Sequence, residues 1–107
     1  MSIPVAIADL PATIAKYDLS FLVSVSAAGQ PRFLAQRPRV DEGADGPMLV
    51  VDKAGAGTQK AADGQIVALL YPNADATKHS LIVDGTAELR GTELWITPTA
   101  AILHIPR

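Results

Sequence analysis

The sequence predicts a mainly β domain: a small antiparallel barrel of six to seven strands, closed or nearly so, with one N-terminal helix and a short mid-chain helical turn. Three observations predict it. Apolar runs with a period of two recur at close, regular spacing from Ser20 to Ile105. Prolines and glycines punctuate those runs. A glycine at position 85 interrupts the longest of them, where a bend or bulge would let a strand curve as small barrels require. A β-sandwich would bury the same inward-facing residues, but the bend and the proline-marked strand ends suit the barrel better.

Length and composition bound the rest. The chain has 107 residues, enough for one domain with a single core. Apolar residues make up 49% and charged residues 19%, which places it among chains that fold. A net charge of −2 with no basic block lacks the footprint of nucleic-acid binding. The absence of cysteine removes disulfides, thiol nucleophiles and thiolate metal sites. His79 and His104 have no ligand pattern around them, so no metal site is expected. Asp9, Lys16 and Asp18 break up the first apolar residues, leaving no signal-peptide core and no membrane-spanning run, and the expected location is the cytoplasm.

In chain order, Asp9 to Asp18 reads as a short amphipathic helix, with Asp9 as cap, Pro11 in the first turn and Leu10, Ile14 and Tyr17 along one stripe. Ser20 to Ser26 alternates, with Phe21, Val23 and Val25 on the apolar side and serines on the other. After a turn at 27–30, Pro31 to Val40 reads as one strand. It sets Phe33, Ala35, Arg37 and Arg39 on one face and Leu34, Gln36, Pro38 and Val40 on the other. Neither face is cleanly apolar, and Pro38 cannot donate to a ladder, so this strand reaches an edge or a bulge. Its polar side chains are placed there either to meet a ligand or second subunit or to guard an exposed edge.

Asp41 to Pro47 reads as a hairpin loop and Met48 to Asp52 as the returning strand. Gln65 to Tyr71 is apolar on both faces, as a strand covered on both sides would be. His79 to Arg90 sets Leu81, Val83, Ala87 and Leu89 against Asp84, Thr86, Glu88 and Arg90. Gly91-Thr92 permits a tight hairpin into Glu93–Thr97, and Pro98 separates that strand from a last extended piece, 100–105. His104 reads as a half-buried, hydrogen-bonded residue rather than a base.

Between the strands ending at Asp52 and starting at Gln65 lies Ala54-Gly-Ala-Gly-Thr-Gln-Lys60, glycines followed by helix formers. Gly55 and Gly57 allow close backbone approach, and Thr58 starts a helical turn with free N–H groups, to which the Lys60 ammonium adds charge, a combination suited to phosphate. A plain surface loop closed by a solvated lysine accounts for the same residues.

This order of parts resembles the FMN-binding split barrel of the pyridoxamine phosphate oxidase-like family. The resemblance runs through the leading helix, the Phe21 to Arg32 hairpin, the arginine-bearing strand, the Thr58-Gln59-Lys60 turn, the Gly85-Thr86-Ala87 core of the long strand, and Ile96-Thr-Pro-Thr99 leading into Ile102-Leu-His104. It implies that Thr58, Gln59 and Lys60 hold the phosphate of FMN, or of a deazaflavin, that Arg37 or Arg39 adds supporting charge, and that Gln36 to Pro38 lie beside the ring. It further implies a homodimer whose second subunit completes the groove, and hydride transfer to or from a small-molecule substrate. Where relatives often carry asparagine soon after the basic residue, this chain has Ala62-Asp63. A flavin-free dimeric barrel acting as a binding or scaffold module has the same fold and core. No catalytic acid, base or nucleophile stands out from the residues themselves.

Overall fold

The structure is a computed structural model that describes residues 2–52 and 62–105. The elements are β1 (Ser2–Pro4), a 3-10 turn (Ile7–Asp9), α1 (Leu10–Ile14), β2 (Ser20–Val25), β3 (Pro31–Gln36), β4 (Arg39–Gly43), β5 (Gly46–Val51), β6 (Ile66–Tyr71), β7 (Ser80–Arg90) and β8 (Glu93–His104). All eight strands belong to one antiparallel sheet in the order β3-β2-β6-β7-β8-β5-β4, with β1 added to β8 beyond the end of β5. The fold is mainly antiparallel β with one short helix, as the sequence predicts.

The sheet does not close, but it must curl. Its two edge strands, β3 and β4, are joined only by Arg37-Pro38. Three Cα steps of about 3.8 Å separate Gln36 from Arg39, so the opposite edges approach to within about 11 Å there, against about 4.8 Å for paired strands. Pro38 explains the break. It has no N–H for the ladder, so the expected single strand Pro31 to Val40 stops and restarts on the other edge. The result is a barrel split at Arg37-Pro38.

The long β7–β8 hairpin is the spine. Asp84 lies opposite Ala100 and Gly85 opposite Pro98, so Thr99 is an extra residue on β8 and the ladder bulges at the expected position. A Cβ on Gly85 would lie 2.6 Å from the Thr97 carbonyl oxygen and 2.9 Å from Ile96 Cγ2. Only glycine lets the strands approach this closely. Pro98 sits at the bulge and β8 runs through it to His104, a difference from the expected strand end, because the ladder is already irregular there. Gly91-Thr92 makes the expected two-residue turn, with Arg90 opposite Glu93 and Gly91 at φ 62°. The expected loop 41–47 shrinks to Ala44-Asp45, since β4 and β5 pair down to Gly43 and Gly46.

Leu22, Val67, Leu69, Leu81, Val83, Ala87, Leu94, Ile96 and Ala101 form the inner face, with Leu49 and Val51 from β5. Leu10 and Ile14 of α1 cap this core. The helix is shorter than Asp9 to Asp18. Asp9 makes no side-chain cap, and after Ile14 the chain tightens through Lys16 and Tyr17 N–H groups bonded to Thr13 and Ile14 carbonyls.

Two facings differ from expectation. In β2 the serines point inward: Ser20 is 0% exposed, while Val25 lies on the outer side with Phe21 and Val23. Burial of Ser20 is compatible with its hydroxyl because Oγ donates to the Gln36 carbonyl at 2.9 Å. In β6 the second apolar face is only partly covered by the described residues, and Ile66 is 81% exposed. Phe33 pairs with Val23 and Val23 with Ala68, and extending the β2–β6 register sets Val25 beside Ile66, so these residues form one outward apolar face.

Replacing Gly85 by alanine should destabilise the fold by roughly 1–3 kcal/mol, because the added methyl meets backbone that cannot move aside cheaply. A urea denaturation series measures this, and an unchanged midpoint would show that the approach at the bulge is not constraining.

Candidate functional site

The seam of the barrel carries a small pocket of about 170 Å³. The start of β2 supplies Ser20, the end of β3 Gln36, the connection Arg37 and Pro38, and the end of β6 Tyr71. Ile14 and the Tyr17-Asp18-Leu19 turn after α1 roof it. These residues meet because Ser20 pairs with Gln36 at the β2–β3 end, while α1 packs Ile14 into the core. Two larger grooves, about 420 and 450 Å³, adjoin it around Tyr17 and the Asn73 to His79 loop.

Three of the sequence-predicted site residues therefore come together, namely Gln36, Arg37 and Pro38. Arg37 is exposed, and among the described residues no carboxylate pairs with it. Arg39 is elsewhere. Its guanidinium bonds Asp41 at 3.2 Å, Asp52 at 3.2 Å and Glu93 at 3.0 Å, and these partners, Glu93 first, raise its pKa further. It also lies over Trp95, 5.7 Å from the ring centroid, with Arg90 at 4.5 Å. Arg39 and Trp95 flank Val50 in the ladder and cover it, so that Val50 is buried on the outer side of β5. Arg39 thus does structural work amid an excess of negative charge. Thr58, Gln59 and Lys60 lie outside the described residues.

Asp63 accepts the Leu89 N–H at 2.8 Å. Its carboxylate ties the chain before β6 to β7, next to the Gly64 N–H bond to the Ala87 carbonyl. His104 is half-buried with Nδ1 3.1 Å from Ser2 Oγ, as read from sequence.

Sequence reasoning missed Tyr71, Tyr17 and Ser20. Tyr71 is 3% exposed, and among the described residues its Oη has no hydrogen-bond partner. Burial pushes its phenol up to about 12, with the neighbouring Ser20 hydroxyl pulling the other way. Ser20 has only one proton, and that proton goes to Gln36. Tyr17 stacks at a tilt on Tyr71, ring centroids 6.0 Å apart, and donates to the His79 carbonyl at 2.8 Å; burial raises its phenol too. The available signal was that the chain's two tyrosines each close an apolar element, an arrangement that brings two polar tips to one end of the core.

No family model and no solved structure matches the chain. Two mycobacterial proteins do. The uncharacterized protein Mb0449c of Mycobacterium bovis and the uncharacterized protein MT0457 of Mycobacterium tuberculosis are each 31% identical to it over 108 aligned positions, covering 89% of this chain and 76% of the relative. The chain belongs to the family of these two proteins. Among the described residues no helix is long and apolar enough to cross a membrane.

Stability linked to neutral Tyr71 is complete below the ordinary phenol value of 10.0 and is lost as pH rises from there through about 12, since the folded protein disfavours the phenolate. Urea midpoints measured at successive pH values should fall across that window in the wild type and fall less in Tyr71→Phe. Identical alkaline profiles would mean that Tyr71 ionises freely.

Proposed function

We propose that the protein is a flavin-binding oxidoreductase of the pyridoxamine phosphate oxidase-like type, a homodimer using FMN or a deazaflavin for hydride transfer to or from a small substrate. The observation that carries this reading is the convergence of Gln36, Arg37 and Pro38 beside a pocket at the seam of a split-barrel-like sheet. The residues fit the cofactor in part. Arg37 has an uncommitted positive charge, Gln36 an amide able to donate and accept, and Pro38 an apolar surface for a ring edge. Arg39 does not fit, because three carboxylates surround it. The phosphate contacts belong to Thr58, Gln59 and Lys60, on the strength of sequence alone. Flavin, when bound, supplies the redox chemistry, and the chain's own groups bind, orient and exclude water.

The dimer reading is supported by the outward apolar face. Phe33 is 69% exposed, beside Val23, Val25 and Ile66 on adjoining strands, and a two-fold partner would cover it. A flavin-free dimeric module of the same fold is the second reading, and it is favoured by the engagement of Arg39, which leaves Arg37 as the seam's one uncommitted arginine among the described residues.

Titration of the purified protein with FMN and with a deazaflavin should give saturable binding. Lys60→Ala should weaken it by about ten- to a hundred-fold through loss of a charge-assisted contact of roughly 1.5–3 kcal/mol. If neither cofactor binds at high micromolar concentration, the flavin-free reading replaces this one. Light scattering should show a dimer at tens of micromolar that Phe33→Asp with Ile66→Asp converts to monomer. A wild-type monomer at that concentration would contradict the dimer.

A further inference from the structure

We propose that the open edge of β3 accepts an extended segment of a partner protein as a further antiparallel strand, apolar toward the outer face and carrying an acidic residue opposite Arg32. The edge lies in the plane of the sheet, whereas a second subunit would cover its face, and no cofactor takes part.

Half of the β3 backbone is unused. The Ser26 N–H donates to the Gln30 carbonyl at 2.9 Å, so the bonds between β2 and β3 fall at alternate positions from there, and in the observed register they belong to Arg32, Leu34 and Gln36. The amide and carbonyl groups of Phe33 and Ala35, with the carbonyl of Pro31, therefore point to the open side. Among the described residues nothing bonds to them.

An uncovered strand edge is a template for pairing, and the other edges of this sheet are defended. β4 carries Arg39, Asp41 and Glu42, and β1 is three residues long. β3 has neither defence. It is six residues long and turns Phe33, 69% exposed, and Ala35 toward the outer face, where Val23 and Ile66 adjoin them. Strand addition there offers main-chain bonds for affinity and alternate side-chain positions for specificity.

Charge defines the occupant. Across the adjacent strands β3, β2 and β6 the one charged residue is Arg32, and among the described residues no carboxylate pairs with it. An acidic side chain directly opposite would supply that partner, and apolar residues opposite Phe33 and Ala35 would match the outer face. A second copy of β3 supplies no carboxylate, because its sequence contains none.

The peptide Ac-Thr-Val-Thr-Ile-Glu-Thr-NH2 sets Val against Ala35, Ile against Phe33 and Glu against Arg32. In the free protein the Leu34 amide should exchange slowly with solvent and the Phe33 and Ala35 amides fast; saturating peptide should slow both to the Leu34 level. N-methylation of the peptide Val should abolish binding. Replacing the peptide Glu by Lys should weaken it by about three- to tenfold, and Arg32→Glu, at an exposed position, should reverse that preference. No saturation up to about 5 mM, fast Phe33 and Ala35 amides in the saturated complex, or equal affinity for the Glu and Lys peptides would each overturn the proposal. Slow Phe33 and Ala35 amides that appear without peptide and vanish on dilution would also overturn it, by assigning the edge to a second copy of the chain. Flavin is absent throughout, so failure here is distinct from failure of the cofactor titration.

Discussion

The close approach of β7 to β8 at Gly85 is the constraint on which the rest of the molecule depends. A side chain there would collide with the Thr97 carbonyl and Ile96. Its absence lets the longest hairpin bulge at Thr99 and curve, and a curved spine makes the flanking strands wrap around it. Wrapping brings β3 and β4, at opposite ends of the strand order, close enough to be joined by Arg37-Pro38 alone. The pocket exists because of that seam. Its polar edge comes from the join, its floor from the ends of β2 and β6, and its roof from the chain after α1.

The two sides of the sheet are unequal in chemistry. The inner face is satisfied within the chain, filled by branched residues and capped by Leu10 and Ile14. The outer face divides into halves. Around β4, β5 and the β7–β8 turn it is sealed by Arg39, Trp95, Arg90 and their carboxylates, which cover Val50. Individually such exposed ion pairs contribute little, but a shared network over an aromatic ring also acts as packing. Across β3, β2 and β6 the outer face is apolar and only partly covered by the described residues, so it is the side on which a partner subunit would gain most.

Much of this was legible in the sequence. The alternation of β7 gave its facing correctly because one side is apolar and the other charged, and glycines marked both the bulge and the turn after Arg90. Alternation failed in β2, where Phe21, Val23 and Val25 look like the core set and Ser20 and Ser24 like the solvent set. Period two separates the faces but does not say which is inside, and a serine whose proton has a backbone partner is readily buried. The split at Pro38 was visible only as an irregularity, since its meaning depends on where the other edge lies. The site was half legible. The strand without a clean face pointed to an edge near Pro38 and the family resemblance set Gln36 to Pro38 beside a ligand, whereas Arg39's three partners come from separate stretches of chain, and Tyr71 gains significance only from a missing hydrogen bond.

Amide hydrogen exchange, compared between the wild type and Gly85→Ala, tests most directly whether curvature at Gly85 holds the seam together. If it does, the slowest wild-type amides lie in β6, β7 and β8, and the substitution lowers protection at the distant edges, in β3 and β4, together with the hairpin. Loss of protection confined to β7 and β8, with β3 and β4 unchanged, would show that the seam is held independently of the bulge.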